Sequence, residues 1–158
     1  MPKLSTEILQ LLDHPGTTKV VATTDEFGIP YAITSSFLQA GDAGELVHLE
    51  LLEKSATNRN LLRSLWFDKK VSVTLAAPDG RSFVIQGRPV RALISGPVFR
   101  GHYEKVRALQ DADLAAVWLI EPEEVVNETF AERKLAEETA FPFSVHLDRL
   151  VVDAVARD

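Results

Sequence analysis

The chain has 158 residues, 46% of them hydrophobic and 25% charged, and carries a formal net charge of −6. That length is one domain with a core of its own, and the complete absence of cysteine excludes disulfides, thiolate zinc sites and a cysteine nucleophile. An acidic balance of 17 Lys and Arg against 23 Asp and Glu argues against sequence-independent nucleic-acid binding, which needs a basic footprint.

The start, Met1-Pro2-Lys3-Leu4-Ser5-Thr6-Glu7, lacks the basic flank and long apolar stretch of a secretory signal. No apolar run approaches the ~20 residues of a membrane span. The expected address is therefore the cytoplasm. Next, Ile8, Leu11 and Leu12 share one helical face, with Ser5 or Thr6 as cap, and His14-Pro15-Gly16 ends the helix. Thr18 to Thr24 is rich in β-branched residues. Asp25-Glu26-Phe27-Gly28 turns the chain, and Ile29 to Leu38 resumes an extended pattern, which together predict a hairpin. After a turn at Gly41 to Gly44, the alternation of Leu46/His48/Glu50 with Val47/Leu49/Leu51 predicts a third strand in meander order.

Lys54 to Phe67 changes period, with Leu61, Leu62, Leu65 and Trp66 on one helical face. Strands return at Lys70 to Ala76 and, past Pro78-Asp79-Gly80, at Ser82 to Leu93, where Gly87 and Pro89 predict a bulge or an edge. Gly96-Pro97 opens a helix to about Gln110. Ala115 to Ile120 has the look of a strand buried on both faces, and Thr129 to Thr139 reads as a further helix. Phe141-Pro142-Phe143 breaks that helix, and a last strand is expected within 144–155. About seven strands with a few short helices predict a mainly β fold, a barrel decorated by helices.

The usual catalytic and metal sets are missing. His14, His48, His102 and His146 lie far apart and form no HExxH or His-x-His pair, so no metal site is expected. Neither a GxSxG elbow nor a GxxxxGK[ST] phosphate loop occurs. Gly41 and Gly44 belong to a hairpin turn, and Glu121, Glu123, Glu124 and Glu128 read as a solvated face. One segment does concentrate binding chemistry. Lys54-Ser55-Ala56-Thr57-Asn58-Arg59-Asn60 places hydroxyls, two cations and free amides at a helix start, the combination that holds a phosphate. The same residues equally describe an ordinary N-cap on a polar helix.

Four local patterns, taken in order, carry a resemblance. They are Val21-Ala22-Thr23-Thr24 with Gly28-Ile29-Pro30-Tyr31, Thr57-x-x-Asn60-Leu61, Ser82-Phe83-Val84-Ile85-Gln86-Gly87-Arg88-Pro89, and Gly96-Pro97-x-Phe99. This set resembles the FMN-binding split-barrel family related to pyridoxamine 5′-phosphate oxidase, in its small FMN-binding-protein branch. The resemblance covers about residues 8–127 of a single domain spanning 1–158, with 130–158 as a C-terminal extension. It implies an α+β split β-barrel that binds FMN as a homodimer. Lys54, Ser55, Thr57 and Asn60 would hold the phosphate. Thr34, Ser35, Ser36, Leu51 and Leu52 would lie along the ring, and Trp118 would either shield the flavin across the interface or fill the core.

Two departures stand out. Thr57 replaces a lysine that many members carry, with Ala56 beside it, so the phosphate would lean on hydroxyls, amides and Lys54 or Arg59. The oxidase's C-terminal Arg-x-His substrate signature is absent, and Ser144 to Arg149 does not replace it. The implied function is a flavin-dependent oxidoreductase whose partners are an unassigned small-molecule substrate or electron donor, with no catalytic residue named. The alternatives are a non-enzymatic flavin carrier or electron-transfer protein, and a barrel that binds haem or another cofactor.

Overall fold

The structure, a computed structural model, describes residues 2–143; the strand expected within 144–155 lies outside the described residues. Helix α1 spans Thr6–Asp13, and the hydroxyl of Ser5 caps it by accepting the Ile8 N–H at 3.3 Å. Its predicted apolar face is the buried one, with Ile8, Leu11 and Leu12 all shielded from solvent.

Strand β1 (Thr18–Thr24) and β2 (Pro30–Thr34) form the expected antiparallel hairpin. Its turn is closed by Asp25, whose carboxylate accepts the Phe27 and Ile29 N–H groups, while Gly28 takes the left-handed φ of 78° that a side chain would resist.

The extended run does not continue to Leu38, and the third strand does not pair with the second. β2 ends at Thr34; the Ser35 N–H still continues its ladder, on the Lys19 carbonyl at 2.8 Å, and the chain then turns away at Ser36 and Phe37. A short β3 (Leu38–Ala40) follows, paired with β4 (Leu46–Glu50) at the far edge of the sheet. Helix α2 (Ala56–Trp66) then leads to β5 (Val71–Ala76), β6 (Ser82–Leu93), α3 (Pro97–Gln110), β7 (Ala116–Asn127) and α4 (Phe130–Ala140).

The sheet order is β2-β1-β5-β6-β7-β4-β3, antiparallel throughout the described residues. The two ends of this sheet curl toward one another, and the Lys19 ammonium of β1 donates to the Leu38 carbonyl of β3 at 2.9 Å across the seam. The result is a seven-stranded half-barrel with four short helices.

β7 is buried on both faces, as its composition predicts. Ala116, Trp118 and Ile120 join Val21, Leu46, Leu61, Val73, Leu75 and Ile85 in the barrel interior, while Val117 joins Val47, Leu49, Val106 and Leu114 beneath α3. Each such fully buried aliphatic side chain contributes about 1.5–3 kcal/mol of transfer free energy. The strand runs on to Asn127, beyond the expected Ile120, because its outer half alternates. Glu121, Glu123 and Glu124 face solvent, whereas Pro122 is buried. Glu123 pairs with Arg88 at 2.6 Å and Lys70 at 3.2 Å.

The irregularity predicted at Gly87 and Pro89 appears as two register shifts in the β6–β7 pairing, at Gln86/Gly87 and Pro89/Arg91. A β-carbon on Gly87 would overlap the carbonyl of Glu121, which is backbone and cannot swing away. Gly87→Ala is therefore expected to cost about 1–3 kcal/mol of stability, read as a lower urea midpoint. An unchanged midpoint would mean that this strand pair is looser than described.

Candidate functional site

The bend that ends β2 has a consequence for surface shape. Residues 33–37 leave the sheet, β4 ends at Glu50, and the end of α3 passes nearby. Between them lies a cavity of about 480 Å³, lined by Thr34, Ser35, Ser36, His48, Leu51 and Leu52 among others. Five of the sequence-predicted residues are thereby brought to one wall. Its mouth is polar at Thr34 and Ser36, both exposed, and apolar at Leu52, which is 68% exposed. The volume falls within the ~300–1,000 Å³ usual for cofactor sites.

The phosphate-type residues are arranged differently. Leu52 to Ser55 is a tight turn, closed by the Ser55 N–H on the Leu52 carbonyl at 3.1 Å, that connects the cavity wall to the start of α2. Ser55 is the N-cap, accepting the Asn58 N–H at 3.0 Å, and Lys54 beside it is exposed. Thr57 and Asn60 turn inward. Thr57 is 1% exposed, and the Asn60 amide donates to the Thr23 hydroxyl at 3.1 Å.

Asn60 also touches a second cleft of about 350 Å³ between α2 and the β1–β2 hairpin, together with Arg59, Arg63 and Tyr31. Trp118 lies in the barrel interior, 2% exposed, and its indole N–H donates to Asn58 at 2.8 Å. The ten predicted residues thus separate into a cavity wall, a helix cap with an exposed cation beside it, and an inward-facing set.

Two buried polar residues of the cavity carry no site assignment from the sequence. His48 and Glu50 lie on the Leu46 face of β4, the face turned into the barrel, and both are buried. Ser35 Oγ is 2.8 Å from His48 Nδ1, and His48 Nε2 is 3.2 Å from Glu50 Oε2. Glu50 also accepts the Leu52 N–H at 3.1 Å.

Burial alone would raise the Glu50 carboxyl above its ordinary value. Hydrogen bonds from His48, the Leu52 amide and Ser55 outweigh it and hold the group below that value, hence ionised. The sequence signal for this pair was available as two polar residues at i and i+2 on the inward face of a buried strand. Elsewhere, burial lowers the Lys19 ammonium despite Asp13, and lowers His102 together with Lys105. No cluster of His, Asp and Glu among the described residues could hold a metal ion, and no helix there is long and apolar enough to cross a membrane.

No protein-family model matches the chain, and no curated protein sequence does. Solved structures do. HupZ of Group A Streptococcus superposes with a TM-score of 0.66 at 15% identity, over 80% of this chain and 95% of that one. An FMN-binding protein from Syntrophomonas wolfei gives 0.60 at 11% identity, covering 78% of this chain and 88% of its own. A pyridoxamine 5′-phosphate oxidase-related FMN-binding protein from Nostoc punctiforme gives 0.57 at 13% identity, covering 77% and 83%. The class is therefore defined by fold: this chain is a split β-barrel of the FMN-binding type. At that level the resemblance read from its four motifs holds.

Proposed function

We propose that this protein is an FMN-binding flavoprotein of the family related to pyridoxamine 5′-phosphate oxidase, acting as a flavin-dependent oxidoreductase and as a homodimer. The observation that supports this reading is the cavity itself. It gathers Thr34, Ser35, Ser36, Leu51 and Leu52 on one wall and adjoins the N-terminal turn of α2, in a fold shared with proteins that bind FMN.

The residues present fit such a group. The ring would rest against Leu51 and Leu52, with hydroxyls of Thr34, Ser35 and Ser36 available to its polar edge. Lys54 and the first amides of α2 would face the phosphate, where the helix dipole favours an anion. Thr57 and Asn60 support this end from within, by packing the helix against β1 through the Asn60–Thr23 hydrogen bond. When bound, the flavin supplies the hydride chemistry, while the protein supplies binding, orientation and exclusion of water.

Leu52→Glu tests this placement. Leu52 is exposed, so the substitution leaves the core intact, and it sets a carboxylate at the cavity mouth against an anionic ligand. FMN affinity, followed by flavin fluorescence, is expected to fall about tenfold or more while the melting temperature stays unchanged. Equal affinity for wild type and variant would remove the ring from this cavity. Turnover of a reduced nicotinamide with an added acceptor separates an enzyme from a flavin carrier, which would be reduced without cycling.

A further inference from the structure

Ser35, His48 and Glu50 form a continuous chain of buried polar side chains beneath the cavity, and their donors and acceptors can be assigned in order. Glu50 Oε1 takes the Leu52 N–H at 3.1 Å. An ionised carboxylate only accepts, so the proton in its contact with His48 must sit on Nε2. A neutral imidazole with a proton on Nε2 has a bare lone pair on Nδ1.

That lone pair lies 2.8 Å from Ser35 Oγ, so the Ser35 hydroxyl must spend its hydrogen on Nδ1. The Ser35 backbone N–H is already given to Lys19. What Ser35 can still offer the cavity is an oxygen lone pair.

We propose that the Glu50–His48 pair fixes Ser35 as an acceptor-only group on the cavity wall, so that the cavity selects a ligand edge presenting an N–H or O–H there and disfavours one presenting a carbonyl. Ser35 is the contact, and His48 and Glu50 are positioning residues acting through it. The selection matters because a donor facing an acceptor is a hydrogen bond, whereas two acceptors facing each other leave both buried and unpaired. Resting on the flavin reading above, the matching group of an oxidised flavin ring is its imide N–H.

The discriminating substitution is Glu50→Gln, which keeps the shape and changes the polarity. The amide can give Nε2 of His48 a proton to accept, which moves the imidazole proton to Nδ1. Nδ1–H then donates to Ser35, whose own hydrogen swings toward the cavity.

The ¹⁵N NMR signals of the His48 ring report this directly at about pH 8, above the ordinary imidazole range. Wild type is expected to show a protonated Nε2 and a bare Nδ1, and Glu50→Gln the reverse. A wild-type ring protonated on Nδ1, or on both nitrogens, overturns the inference. This measurement needs no ligand, so it stands apart from the flavin reading.

With FMN as probe, Ser35→Ala is expected to weaken binding about tenfold, and Glu50→Gln at least as much. The double variant should be little worse than Glu50→Gln, because both changes remove one contact. Equal affinity in wild type and Ser35→Ala overturns the selection. A wild type that takes no FMN defeats the flavin reading instead, and the ring protonation of the wild type then decides the inference alone. Should Glu50→Gln not fold, the wild-type spectrum and Ser35→Ala carry the same two decisions.

Discussion

Trp118→Ala is expected to lower the free energy of unfolding by about 3–5 kcal/mol, the range for removing a large aromatic from a packed core. Trp118 is the largest fully buried side chain among the described residues and sits opposite His48 on β4 and Ala92 on β6. Its indole N–H also fastens α2 to the sheet through Asn58, so truncation leaves an amide oxygen without its donor. Trp118→Phe keeps most of the apolar volume and loses that hydrogen bond, which should cost about 1–2 kcal/mol. Urea denaturation followed by circular dichroism separates the two variants. A loss below about 1 kcal/mol for alanine would be incompatible with a ring at the centre of the barrel.

His48→Leu is expected to be nearly as damaging, by a different route and with a pH signature. The apolar replacement suits the interior in volume but strips Glu50 of a hydrogen-bonded partner. Leaving a buried group without its hydrogen-bond donor costs about 1–3 kcal/mol, and the upper end applies here because the carboxylate is charged.

The sign with pH follows from Glu50. Its carboxyl is held below the ordinary value in the native state, so its contribution to stability is fully present above the ordinary carboxylate value. That contribution fades as the pH falls through the native value. In His48→Leu the lowering influence of the imidazole is gone and burial pushes the carboxyl upward. The deficit relative to wild type should therefore be largest near neutrality and shrink as the solution becomes acid enough to protonate Glu50 in the variant. Melting curves of both proteins between about pH 7 and 4 test this. A deficit that stays constant across that range would show that Glu50 is already neutral in the native protein.

The fold was legible wherever local chemistry decides conformation. The face of α1 follows from the spacing of Ile8, Leu11 and Leu12, the hairpin from Asp25 and Gly28, and the bulges from Gly87 and Pro89. The β7 run Ala116–Ile120 announces a strand between two apolar layers, and both layers are present. Strand order was not legible, because pairing partners are chosen by long-range packing. Ser35-Ser36-Phe37 has no Gly or Pro to announce a turn, yet the chain turns out of the ladder there, just after the Ser35 N–H bonds to Lys19 on β1. That single turn carries β3 to the opposite edge of the sheet from β2.

The candidate site shows the same division. Composition at the start of α2 located the helix and left Ser55 or Thr57 as its cap, and Ser55 is the one that caps it. Which side chains face inward depended on how α2 seats against β6 and β1, and that seating buries Thr57 and Asn60. His48 gives no motif signal, because it forms no HExxH motif and no His-x-His pair. Its partner Glu50 is two residues away on a strand, where alternation places both on one face. Read as one interior pair of polar groups, they already required a third partner, and Ser35 supplies it.

The central claim is that the cavity between residues 33–37 and the end of β4 holds a flavin. The absorption spectrum of the purified protein, taken after incubation with FMN and removal of the excess by gel filtration, tests it most directly. The account predicts a retained two-band flavin spectrum near one FMN per chain. A colourless protein after the same treatment, folded by circular dichroism, would contradict it and leave the split barrel with a different ligand.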